Sequence, residues 1–164
     1  MGNIADEELV SIIGLLMTRG PRLAFVSTDQ QQKLRDLAIA VARFHSQDNP
    51  LPIYVVQGHT RGNLGWAFSR IKKNSRIRLE PDGQMVTESG GVIFPQDRPI
   101  VLLVEYFDCL ELHDQRGYAH LVDNEGQECS LHEGSILIAG LLTNHPGQLE
   151  LGASNRGVHF ELEL

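Results

Sequence analysis

Pro99–Asp108 reads P-I-V-L-L-V-E-Y-F-D. Ile100–Val104 is apolar at every position, not at every second one, which is the pattern of a strand covered on both faces. Glu105 ends the run with a carboxylate. In open α/β sheets, ligands bind outside the C-terminal ends of the parallel strands, so this acid stands where such a fold meets its ligand. The stretch predicts a central parallel strand with a polar tip.

Upstream, Asp6 can cap a helix whose first turn carries Glu7 and Glu8. Leu9, Ile12, Ile13 and Leu16 repeat at helical spacing, and Gly20-Pro21 stops the helix. Arg22–Val26 is a short apolar strand, followed by Ser27, Thr28 and Asp29 as candidate N-caps. The next helix carries Leu34, Leu37, Ala38 and Val41 on one face and runs to about His45. Asn49–Pro52 breaks it, and Ile53–Val56 is a second buried strand. Strand, helix, strand makes a βαβ unit with a right-handed crossover. Gly58–Gly65 reads as loop and Leu64–Ile71 as a short amphipathic helix. Pro81-Asp82-Gly83 is a turn signal between Ser75–Leu79 and Gln84–Thr87, because proline presets φ and glycine supplies positive φ; a β-hairpin is expected.

Downstream, Leu110–His120 reads as a short helix, Asp123–Gly126 as a turn and Ser135–Leu142 as another fully apolar strand. Thr143–Gly147 is loop, and Leu149 and Leu151 open a short helix or turn. Val158–Leu164 alternates strictly, as an edge strand does. That alternation ends inside a strand, which reads as a chain cut from a longer one.

The 164 residues are long enough for one domain with its own core. The net charge of −7 argues against a general nucleic-acid binder, which needs a basic face. Cys109 and Cys129 form no framework and no C-x-x-C, so free thiols in a reducing cytoplasm are expected. No apolar run is long enough to span a bilayer, and the acidic start lacks the basic opening of a signal peptide. Arg61, Arg70, Lys72, Lys73, Arg76 and Arg78 form the one basic cluster, a solvated face or a site for a phosphate or an acidic partner. The seven histidines include no H-x-x-x-H; His113 and His120 are the pair that could share a helix face, and no metal site is assigned.

With the hairpin inserted before the central strand, the order of elements resembles the α/β core of the AAA+ ATPases, especially the MoxR-like, midasin and dynein branch. The resemblance implies a three-layer, P-loop-NTPase-like open parallel sheet with helices on both faces. Residues 1–20 would form an N-terminal helix and 21–164 the core. The kinship is staked on Ile100–Val104 lying between Leu23–Val26 and Ile53–Val56.

Each family motif departs from its pattern here. A P-loop is G-x-x-x-x-G-K-[ST], whose backbone N–H groups cradle phosphate. Ser27–Gln32 holds no glycine, and Asp29 sets a carboxylate at the helix mouth. Lys33 lies near the place of the family's lysine. The family's acidic strand ends in Asp-Glu, which hold magnesium and orient water. Here the tip is Glu105-Tyr106, and a tyrosine with a pKa near 10 is no base at neutral pH. Asn144 matches the family's polar residue after the next strand. Arg156 stands where an arginine reaches a neighbouring subunit's nucleotide. The helical lid has no counterpart.

The resulting expectation is a binding or scaffold module that does not hydrolyse ATP, acting through protein contacts or self-association without a cofactor. Its candidate contact surfaces are the basic cluster, the Pro81–Gly83 hairpin and the edge strand Val158–Leu164. The alternative is a divergent nucleotide binder or ATPase using Mg-ATP, with Lys33, Glu105, Asn144 and Arg156 around the nucleotide. A third reading is an unrelated flavodoxin-like or doubly wound domain with a small ligand at the strand tips.

Overall fold

The computed structural model describes residues 2–19, 22–28, 30–44, 47–57, 75–89, 94–122, 131–142 and 149–162. In chain order the described elements are α1 (Gly2–Arg19), β1 (Leu23–Ser27), α2 (Gln31–Ala42), β2 (Ile53–Gln57), β3 (Ser75–Leu79), β4 (Met85–Ser89), β5 (Val101–Glu105), a 3₁₀ turn (Phe107–Cys109), α3 (Leu112–Leu121), β6 (Ile136–Leu141), α4 (Leu151–Ser154) and β7 (Val158–Glu161).

The strands form one seven-stranded sheet in the order β4-β3-β2-β5-β6-β1-β7. Five run parallel, and the β3–β4 hairpin adds two antiparallel strands beside β2. The central run is as the sequence indicates: every residue of β5 is buried. One expected neighbour is wrong. β5 lies between β2 and β6, and β6 separates it from β1. β1 and β6 are both apolar and interior, so composition alone does not rank them. The helix decides, because α2 lies across β5 and so carries the chain past β6 to the far side of the sheet. The observed order also differs from the flavodoxin-like 2-1-3-4-5 and the dinucleotide-binding 3-2-1-4-5-6.

Side chains of alternate parity enter two cores. Ala24, Val26, Val101, Leu103 and Ile138 meet Leu34, Leu37 and Ala38 of α2, with Leu9, Ile13 and Met17 of α1 behind them. Leu23, Phe25, Leu102, Val104 and Leu137 meet Phe107, Tyr118, Ala119 and Leu121 on the other side. Helices therefore cover both faces, as strands apolar at every position require.

Some boundaries move. α1 begins at Gly2, so Asp6 lies inside it and is not its cap. Ser27 and Thr28 do not cap α2: the N-cap is Gln30 and has no side-chain bond, and the Thr28 hydroxyl instead accepts from the Gln30 N–H at 3.1 Å, while Asp29 lies outside the described residues. The β3–β4 turn closes as expected, with Gly83 at φ 92° and Glu80 N–H donating to Gln84 O at 2.8 Å. The expected Leu64–Ile71 helix, the Asp123–Gly126 turn and the Thr143–Gly147 loop lie outside the described residues.

β7 docks on β1 through His159, whose ring stacks on Phe25 with centroids 4.6 Å apart. Its approach needs Gly157: a Cβ there would lie 2.7 Å from Leu23 O and from the Phe25 ring. On the same face, α3 and α4 are clamped by polar contacts. Glu150 caps α4 by accepting from Ala153 N–H at 2.6 Å and pairs with Arg116 at 2.9 Å. The Glu150 N–H donates to the buried Gln115 at 2.8 Å.

Two outcomes follow from these contacts. Gly157→Ala should destabilise by about 1–3 kcal/mol through overpacking against the backbone, read as a lower urea midpoint. Arg116 and the Ala153 N–H hold the Glu150 carboxyl below the usual carboxylate range. The stability it contributes is present above the unfolded value of about 4.3 and is lost as pH falls through the folded value. Urea midpoints measured against pH should therefore fall less steeply in Glu150→Gln than in the parent below about pH 4.3.

Candidate functional site

The sheet's C-terminal edge is the place to look, because neighbouring chains part there. β1 leads into α2 on one face, while β6 leads to α4 on the other. A crevice between such strands is where open α/β sheets bind ligands. Its described rim holds Glu105, Tyr106, Asp108, Thr28 and the first turn of α2.

Glu105 points to the α2 side and is 1 % exposed. A carboxylate so buried requires compensation. Arg35 supplies it from one turn into α2. Its Nε donates to Glu105 Oε2 at 2.7 Å and its Nη2 to Oε1 at 3.1 Å. The end of β2 adds Gln57, whose Nε2 reaches Oε1 at 3.4 Å and whose Cα is in register with that of Glu105. The bond to Glu105 pushes the Arg35 pKa up, beyond its ordinary value, so the guanidinium keeps its charge at every ordinary pH. The pair is a bidentate fork, the strongest geometry open to these groups.

Beyond Glu105 the chain bends sharply. Tyr106 adopts φ 55° and ψ 44°, a left-handed conformation costing about 1–2 kcal/mol for a residue with a Cβ. This bend turns Phe107 into the core beside Phe25, with centroids 5.5 Å apart. It also carries Asp108 to the end of β6, where Oδ2 accepts from Leu142 N–H at 3.3 Å. Asp108 thus ties the turn to β6. On the β1 side, Thr28 N–H donates to Leu141 O at 3.1 Å. The N–H groups of Thr28, Gln30 and Lys33 at this rim are bonded within the chain.

The sequence-derived residues are dispersed. Lys33 is half-buried on α2, and its N–H donates to Gln30 O at 3.0 Å, but Glu105 is met by Arg35 and not by Lys33. Arg156 is exposed just after α4, with its N–H on Ala153 O at 3.1 Å. Asn144 and Asp29 lie outside the described residues, as do Arg61, Arg70, Lys72 and Lys73. The backbone of Arg76 sits on β3 opposite Glu88. Arg78 pairs with Glu80 at 2.6 Å. Cys109 is a free thiol, pushed above its ordinary pKa by burial and by Asp108.

Glu111, His113 and Asp114 each bring one donor atom within 4.8 Å of the others at the start of α3. His113 and Glu111 are exposed there, and acids are favoured at a helix N-terminus without any metal. Arg35 and Gln57 were not found from the sequence. Position 35 flanks the apolar stripe of Leu34, Leu37 and Ala38, and nothing in that spacing says which strand tip it faces.

Removing one partner of a buried pair leaves the other charge stranded, so Arg35→Ala should cost about 3 kcal/mol in urea unfolding. Glu105→Gln in the same background should recover part of that loss, and the double-mutant cycle should return a coupling above about 1 kcal/mol. No protein-family model matches the chain, and no curated protein matches it either.

Proposed function

We propose that this chain is a non-catalytic, AAA+-like binding or scaffold module that works through protein contacts. The observation that carries the reading is the fork between Arg35 and Glu105. In a working ATPase of that family the acidic strand tip faces magnesium and water. In this chain a guanidinium takes both oxygens of the equivalent carboxylate. A cation would have to displace Arg35, and the N–H groups of Thr28, Gln30 and Lys33 are already bonded within the chain.

The kinship has a mixed footing. The neighbour on which it was staked, Leu23–Val26 beside the central strand, is not the one found. Its support comes from the order itself: counted among themselves, the parallel strands lie 5-1-4-3-2, with the acidic third strand between the second and fourth. That arrangement, with helices on both faces and a hairpin before the third strand, resembles the three-layer AAA+ core. Self-association or a protein partner is the expected mode of action, in the cytoplasm. Among the described residues no helix is long and apolar enough to cross a membrane.

The rival reading, a divergent nucleotide binder, is separated by thermal melting with Mg-ATP. A site with a Kd of about 10 μM would add about 2.7 kcal/mol at about 1 mM ligand. The melting temperature should instead stay unchanged. A reproducible rise would overturn the scaffold reading.

A further inference from the structure

The sheet has a second concavity, at the end opposite Glu105. Between the end of α2, the Pro50–Ile53 segment and the β3–β4 turn lies a cavity of about 200 Å³. Its walls include Ile39, Leu51, Leu79, Pro50, Pro52 and Pro81. Three prolines in the wall have fixed φ, so the shape is largely set before anything binds. The backbone around it makes few polar demands. Leu51 N–H donates to Ala42 O at 2.9 Å and Phe44 N–H to Val41 O at 3.1 Å, which satisfies carbonyls at the negative end of α2.

Size limits what fits. An apolar cavity of ~150 Å³ holds a benzene molecule, whereas small-molecule and cofactor pockets run from about 300 Å³ upward. The space suits one aromatic or large aliphatic side chain. Charge at the rim limits what surrounds it. Arg78 and Glu80 neutralise each other at 2.6 Å. Arg43 is exposed and gives Nη2 to Pro81 O at 3.3 Å; its other N–H groups make no hydrogen bond among the described residues. Counted over the lining residues, Arg43, Arg78 and Glu80, the net charge is therefore positive.

We propose that this cavity is an anchor pocket for an acidic segment of a protein partner, with one large apolar side chain seated inside and flanking carboxylates on Arg43. A buried aromatic anchor ringed by polar contacts is how protein interfaces concentrate binding energy. The proposal rests on the scaffold reading and supplies the chemistry of its partner.

The test is an amide-shift titration of the isotope-labelled chain with three blocked pentapeptides: DEFDE, DEADE and KKFKK. DEFDE should shift the amides of Ala42, Arg43, Leu51, Ile53 and Leu79 saturably, and the other two should not. Arg43→Gln should weaken DEFDE binding, and Arg43→Glu should weaken it roughly fivefold or more; both should melt as the parent does. Leu51→Trp, which fills the space from its wall, should abolish binding. Absence of saturable shifts up to millimolar DEFDE, equal binding of KKFKK, or indifference to both Arg43 variants overturns the pocket. Such a failure leaves the scaffold reading untouched, because only the Mg-ATP melting result decides that.

Discussion

Burial of the sheet on both faces is the constraint on which this structure depends. β1, β5 and β6 carry almost no exposed side chain, and α1 and α2 on one side and α3 and α4 on the other are there to cover them. Each fully buried leucine, isoleucine or valine contributes about 1.5–3 kcal/mol, and the sum must exceed the cost of ordering the backbone. A parallel strand also needs a long crossover, which places a helix on the sheet automatically. Apolar strands and covering helices are thus one requirement seen from two directions.

The same burial explains the strand tip. Glu105 sits at the end of a strand that has no exposed face, so its charge goes with it into the interior. A buried ion pair roughly balances its own desolvation and adds little net stability, but losing one partner is costly. Arg35 is therefore less a source of stability than a condition for keeping Glu105. Closure continues around it: the left-handed Tyr106 turns the chain inward, and Asp108 and Thr28 engage the end of β6. Among the described residues at this edge of the sheet, Glu105, Asp108 and Thr28 all make internal contacts.

The candidate site was legible in part. Glu105 stands out because a carboxylate ends an apolar run, and its position at the sheet edge follows from strand length alone. Tyr106 was read as unable to serve as a base, and its geometry adds a structural role in the bend. Arg35 was invisible because its helix spacing is that of any flanking solvent-facing residue. Gln57 was hidden because its relevance comes only from the register that sets it beside Glu105. The cavity beside Arg43 was equally hidden, since its walls come from three separate segments between Ile39 and Pro81.

From residue order alone came the things that depend on one residue and its near neighbours: which strands are interior, where Pro81–Gly83 turns, which face of α2 is apolar, and that Val158–Leu164 alternates as an edge strand does. Tertiary structure decided the relations between distant residues. β6 separates β1 from β5, and Arg35 meets a carboxylate seventy positions away. The physical reason is that hydrophobic periodicity records whether a position is buried, while strand order and charge pairing depend on what it is buried against. Two strands equally apolar on both faces can exchange places without altering that record, and only the path of α2 across β5 distinguishes them.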